Sequence, residues 1–232
     1  MLARDQPEQG DQKMSTIRFW DRVRYKADGL SVFTSGLARR GQAEIRVSVN
    51  APDMLKDAEE LLRFVVEYLE TESQKITPNQ TMNYGYWLVK FEPSEDGTLD
   101  VWEYDPELRE FLHGGSLAIQ YWRDQQAVCE KFRATFDPPN PGKLTSVSVG
   151  VLEGRPVQAV RYNFGDPMSG WLIVTEQYDG DIKSLRNEHT YHVTAARPDL
   201  AKFLALPCGF RFDQTSGEKA WFDPEAADMQ VP

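Results

Sequence analysis

Few side chains in this sequence are able to do metal or nucleophilic chemistry. It holds three histidines, His113, His189 and His192, and two cysteines, Cys129 and Cys208. His189-Thr190-Tyr191-His192, with Glu188 beside it, has the i, i+3 spacing that can set two imidazoles on one helical face for a metal. With nearby carboxylates, that pair would serve a metal-assisted hydrolase. No third ligand is indicated, and the H-E-x-x-H order that supplies a general base is missing. Packing and capping are the ordinary alternatives for both rings. His113-Gly114-Gly115-Ser116 places glycine N–H groups after a histidine, as an oxyanion loop does, yet no G-x-S-x-G elbow accompanies it. A turn with Ser116 capping the next helix accounts for the same residues. Neither cysteine has a neighbouring histidine or a helix opening that would lower its pKa. No P-loop or dinucleotide fingerprint occurs. The sequence therefore assigns no catalytic residue, no metal and no cofactor.

Recognition chemistry is better supplied. The chain carries 26 basic and 36 acidic side chains, a net charge of −10. A general nucleic-acid binder needs the opposite sign, because phosphate neutralisation dominates its affinity. The acidity is localised: residues 1–50 sum to +3, residues 51–110 to −10 and residues 111–232 to −3. Inside the acidic segment Tyr84, Tyr86, Trp102 and Tyr104 stand among Glu95, Asp96, Asp100 and Glu103. Exposed aromatics anchor interfaces and rim carboxylates steer a basic partner. These eight residues are therefore the candidate binding set. If their hairpin packs beside the acidic helix, the two make one negative surface; a solvated face is the plain alternative.

The elements that must position these residues can be read from periodicity. Residues 1–14 are polar and read as a disordered leader with no secretory signal. No run approaches the roughly 18 apolar residues of a membrane span, so a soluble, cytoplasmic protein with no membrane partner is expected. Ile17 to Tyr25 alternates as a strand or a short helix. Asp28-Gly29 marks a turn, and Leu30–Ser35 and Ala43–Val49 read as strands. A helix follows Pro52, with Asp53 at the N-cap and Met54, Ala58, Leu61, Leu62, Val65 and Leu69 on its apolar face. Tyr84–Phe91 and Leu99–Tyr104 form a hairpin across Pro93–Gly97. Leu117–Phe132 is a second helix. Three prolines and a glycine in Asp137–Gly142 mark a domain boundary. Ser146–Leu152 and Val157–Phe164 read as a second hairpin. The expected fold is α+β, with two packed sub-domains, 15–137 and 143–232. Each has a mostly antiparallel sheet and one or two helices.

The C-terminal part carries four motifs: Ser169-Gly170-Trp171, then Arg197-Pro198-Asp199-Leu200, then Leu206-Pro207-Cys208-Gly209-Phe210-Arg211-Phe212, and finally Trp221-Phe222-Asp223-Pro224. Together they resemble bacterial immunity-protein family thirty-three. That resemblance implies a protein that neutralises a cognate antibacterial toxin, for example an effector of type VI secretion, by occluding its active site without turnover. The partner implied is a toxin, basic if nuclease-like. A ligand-binding or scaffold module is the other non-enzymatic reading. Trp171, Phe203, Leu204, Leu206, Phe210 and Phe212 are expected in the core.

Overall fold

The computed structural model describes residues 22–72, 74–105 and 109–229. The leader of residues 1–14 and the start of the Ile17–Tyr25 alternation lie outside the described residues. Among the described residues, two sheets and four α-helices make an α+β layout with two sub-domains.

In the first sheet, β1 (Arg24–Asp28) and β2 (Ser31–Ser35) meet across the Asp28-Gly29 turn, and β3 (Ile45–Ser48) follows. A short 3-10 turn at Pro52–Met54 leads into α1 (Leu55–Glu72), which buries Ala58, Leu61, Leu62, Val65 and Leu69 as its periodicity predicts. Asp53 is not the N-cap. Pro52, with its fixed φ, opens the helical turn, Ala51 takes the cap position, and the Asp53 carboxylate bonds Arg123 at 3.1 Å instead. Tyr84–Phe91 is not one strand either. Gly85 turns the chain at φ +55, and a Cβ there would lie 2.5 Å from the Trp122 ring. The result is a tight hairpin of β4 (Thr81–Tyr84) and β5 (Trp87–Pro93).

The expected Asp-Gly connection leads on to β6 (Leu99–Asp105) and then β7 (Glu110–His113). The order is β1-β2-β3-β6-β5-β4, with β7 also paired to β6; among the described strands of this sheet, β3 and β6 pair in parallel and the rest antiparallel. Strands alternate sharply in burial: Ile45, Val47, Val89, Phe91 and Val101 are completely covered, while the residues between them are half-exposed. α1 and α2 (Ser116–Lys131) supply the cover on that one side.

The second sheet has the order β11-β8-β10-β9-β12-β13. Its strands are β8 (Leu144–Val147), β9 (Gln158–Arg161), β10 (Met168–Val174), β11 (Arg186–His189), β12 (Phe210–Asp213) and β13 (Lys219–Phe222). The expected β8–β9 hairpin does not form. β10, an apolar strand around Gly170-Trp171, inserts between them, parallel to β8 and antiparallel to β9. Gly170 and Trp171 are covered on opposite faces, which suits a central place, while Leu172 and Val174 beyond them stay half-exposed. α3 (Thr190–Ala196), the 3-10 helix Pro198–Phe203 and α4 (Pro224–Asp228) complete this part.

One continuous hydrophobic core runs through both sub-domains. α2 is shared between them: Gln125 donates to Ala201 O at 2.8 Å, and Cys129 Sγ lies 3.6 Å from Ala205 O. Asp137–Gly142 is coil, but Pro139 and Pro141 are buried. Asp137 N–H donates to Ala205 O at 2.9 Å, and Tyr191 N–H to Pro141 O at 3.0 Å.

Candidate functional site

The motifs of the C-terminal part are explained by packing. Gly170 has φ +88, and a Cβ on it would lie 2.4 Å from Tyr162 O, so only glycine fits beside β9. Trp171 is 1% exposed and donates from Nε1 to Leu204 O at 3.1 Å. Arg197, also buried, donates to Val151 O and Arg155 O, both at 2.8 Å, and grips Asp199 bidentately at 2.8 and 2.9 Å. That grip holds the Asp199 carboxyl below its ordinary pKa. At Gly209, with φ +86, a Cβ would meet the Phe222 ring at 2.6 Å. Asp223 caps α4 by accepting from Glu225 and Ala226 N–H, with Pro224 in the first turn. These residues build the domain.

The possible catalytic groups are likewise engaged. His189 ends β11 at the cap of α3 and His192 lies in that helix, and their rings stand side by side with centroids 5.7 Å apart. His189 Nδ1 sits 2.8 Å from Gly142 O, and its ring stacks on Tyr191. Among the described residues, no group of three His, Cys, Asp or Glu side chains could hold a metal. Gly114 and Gly115 N–H groups donate to Val101 O and Ser48 O, each at 3.0 Å, so they are not available as an oxyanion hole. Burial pushes the Cys129 thiol up to about 11.

The eight candidate binding residues divide. Tyr84 is interior, 3% exposed and stacked on Trp122 at 4.4 Å. Tyr86 is 1% exposed, and its hydroxyl lies 2.7 Å from Thr194 Oγ1 and donates to Thr190 O at 3.1 Å. Burial raises the phenol pKa of both. Neither belongs to a surface patch, because the turn at Gly85 sends both rings under α2 and α3. Glu103 faces inward as well. Its carboxylate accepts from Ala118 N–H at 2.8 Å at the start of α2, where Gly115 offers no side chain. Burial, opposed by these backbone N–H groups, leaves its pKa raised. Ser116, the expected cap, instead accepts from Asn50 N–H at 2.9 Å.

Glu95, Asp96, Asp100, Trp102 and Tyr104 do reach the surface. Pairing register places the last three on the sheet face opposite α1 and α2. Across that face lie Phe33, Arg46 and Asp100, then Lys90, Trp102 and His113, then Leu88, Tyr104 and Phe111. Trp102 meets His113 edge-on at 5.8 Å, Tyr104 meets Phe111 at 5.6 Å, and Tyr104 meets Tyr191 of α3 at 6.0 Å. Arg46 was missed by the sequence reading. It binds Asp100 through Nε at 2.7 Å and Asp96 through Nη1 at 2.9 Å. The Thr98 hydroxyl and N–H, with Arg46, lower the Asp96 carboxyl to about 2. Lys90 pairs with Glu92.

The expected union of hairpin and acidic helix does not occur, because α1 lies across the sheet from this face. Its own carboxylates are partly paired: Glu59 and Glu60 with Arg63, and Asp57 with Arg123. The alternating strand periods carried the signal for Phe33, Arg46 and Phe111, but only with the strand order known.

The fold and this face describe a two-sheet α+β protein in which, among the described residues, α1 and α2 leave one side of the first sheet uncovered and rich in aromatics, with Tyr191 of α3 at its edge. Within it, residues 124–223 match the model of the Imm33-like domain, the same stretch in which the sequence resembles immunity-protein family thirty-three. The match begins inside α2, ahead of the Pro-rich connection. No curated protein and no solved structure matches the chain. Among the described residues, no helix is long and apolar enough to cross a membrane.

Proposed function

We propose that this protein is an immunity protein that binds a cognate antibacterial toxin in the cytoplasm and blocks its active site without turnover. The observation that carries the reading is the Imm33-like match over residues 124–223. The uncovered face of the first sheet supports it by offering a binding surface. Trp102, Tyr104, Phe33 and Phe111 stand there half-exposed among charges that are already paired. Half-exposed aromatics on a rigid sheet are the residue types that supply most interface energy. Glu95, Asp96 and Asp100 form one border of the patch; Arg46 already pairs with the last two, so the border adds little charge steering to the hold of the aromatics.

Co-expression in a susceptible cell with the effector encoded beside the gene tests the reading. The wild-type protein is expected to restore growth and to co-elute with the effector. Trp102→Ala and Phe33→Ala, folded by circular dichroism, are expected to weaken the complex by about tenfold or more each. Failure of the wild type to protect or to form a complex would overturn the proposal.

A further inference from the structure

The uncovered face ends in a cleft of about 470 Å³ where the β4–β5 hairpin and β7 meet the Pro-rich connection and α3. That volume falls in the range of roughly 300–1,000 Å³ usual for ligand pockets. Leu88, Tyr104, Phe111 and Tyr191 supply its apolar walls, and Asn83 and Asn140 bring side-chain amides to it. None of its lining residues is charged, in a chain of which 27% is charged. A cationic occupant is disfavoured, since no carboxylate lines the cleft and the Lys90 ammonium already stands 5.5 Å from the Phe111 ring centre.

One wall is the end strand of the sheet, β4. The tight turn at Gly85-Tyr86 makes Tyr84–Trp87 and Met82–Val89 the hydrogen-bonded pairs, and Phe91 N–H donating to Gln80 O at 3.0 Å keeps the same phase. The backbone N–H and C=O groups of Thr81 and Asn83 therefore point away from β5. Among the described residues, no other element bonds them. A free strand edge of this kind takes an extended peptide as an additional strand, and an adjoining pocket then selects one of its side chains.

Resting on the immunity reading above, we infer that this cleft receives an extended segment of the protein partner. The segment's main chain pairs with Thr81 and Asn83, and one uncharged aromatic or large aliphatic side chain seats among Leu88, Tyr104, Phe111 and Tyr191. The edge supplies affinity that is blind to sequence, and the cleft supplies the choice of residue.

Random linear peptides displayed on phage and selected against the full chain test this, followed by fluorescence anisotropy with the synthetic peptides. The expected peptides share one aromatic or large aliphatic residue and carry no excess of Lys or Arg. Their affinity should fall about tenfold or more for Leu88→Arg, which fills the cleft. It should fall similarly for Asn83→Pro, which removes an edge donor at a position where proline is tolerated. Leu88→Ala replaces Leu88→Arg if circular dichroism shows the latter unfolded. Failure of any peptide to enrich, a basic consensus, or wild-type affinity for the folded cleft variants would overturn the assignment. Growth protection separates the two readings. Protection lost in Trp102→Ala but intact in Leu88→Arg would sink the cleft and leave the immunity reading standing.

Discussion

Three residues show how single side chains govern this molecule. Trp171 fills the centre of the second sheet, 5.4 Å from Phe212 and wholly enclosed, so Trp171→Ala should cost about 3–5 kcal/mol in denaturant unfolding. A loss below about 1 kcal/mol would show that the site collapses around the cavity. Arg197 ties two loop carbonyls to Asp199 from a buried position. Arg197→Ala should therefore cost about 1–3 kcal/mol, since it strands the carbonyl of buried Val151, while the Asp199 carboxylate left behind is half-exposed. Glu103 makes stability depend on pH. Its folded pKa is raised above the ordinary glutamate value, so the folded state holds the proton more tightly than the unfolded chain. That stability is fully present below the ordinary value and is lost as pH rises through the raised one. Thermal melts from about pH 4 to pH 8 should show Glu103→Gln losing less stability with rising pH than the wild type. Parallel curves would mean that Glu103 does not set the slope.

At the scale of elements, the important feature is the seam between the sheets. The Tyr86 hydroxyl, on the β4–β5 turn, reaches Thr194 and Thr190 of α3. From Thr190 a buried hydroxyl chain continues through Thr145 at 2.9 Å to Ser169 at 2.8 Å, beside Gly170. Tyr86→Phe removes the link to α3 while Thr194 keeps the Thr190 and Tyr191 carbonyls as partners, so it should cost about 0.5–1.5 kcal/mol, read by equilibrium unfolding. The Pro-rich connection is held from the other side by Arg161, whose guanidinium donates to Leu206 O at 2.7 Å and also to Asp137 O. With Pro139 and Pro141 buried, limited proteolysis should spare residues 137–142 in the wild type and cut there in Arg161→Met. Early cleavage of the wild type at this connection would show that these hydrogen bonds do not hold it.

Across the whole molecule, charge and shape are separated. The acidic outer side of α1 and the aromatic face lie on opposite sides of the first sheet, and Arg46 and Lys90 neutralise carboxylates within that face. A partner bound there should therefore be held by apolar anchors more than drawn in by charge. Surface plasmon resonance should show Trp102→Ala raising the dissociation rate by about tenfold or more, with association changing little. Raising salt from about 50 to 500 mM should slow association only weakly. A steep salt dependence would place the interface on α1 instead.

The sequence by itself determined what depends on neighbours along the chain. The apolar period of α1, the Asp28-Gly29 and Asp96-Gly97 turns and the buried set around Trp171 all follow from local spacing and backbone preference. The Imm33-like stretch was legible for a related reason: Gly170, Arg197 and Gly209 each meet a steric or hydrogen-bonding demand that few other residues satisfy. Strand order was decided by the tertiary structure alone. Burying Gly170-Trp171 on both faces puts β10 between β8 and β9, an arrangement that no local period encodes. Inside and outside were also decided there. Tyr84 and Trp102 are both aromatics among acidic residues, yet the Gly85 turn buries the first while register leaves the second on the open face. A period of two states only that alternate residues differ. Which set faces water is settled by the side to which α1 and α2 pack.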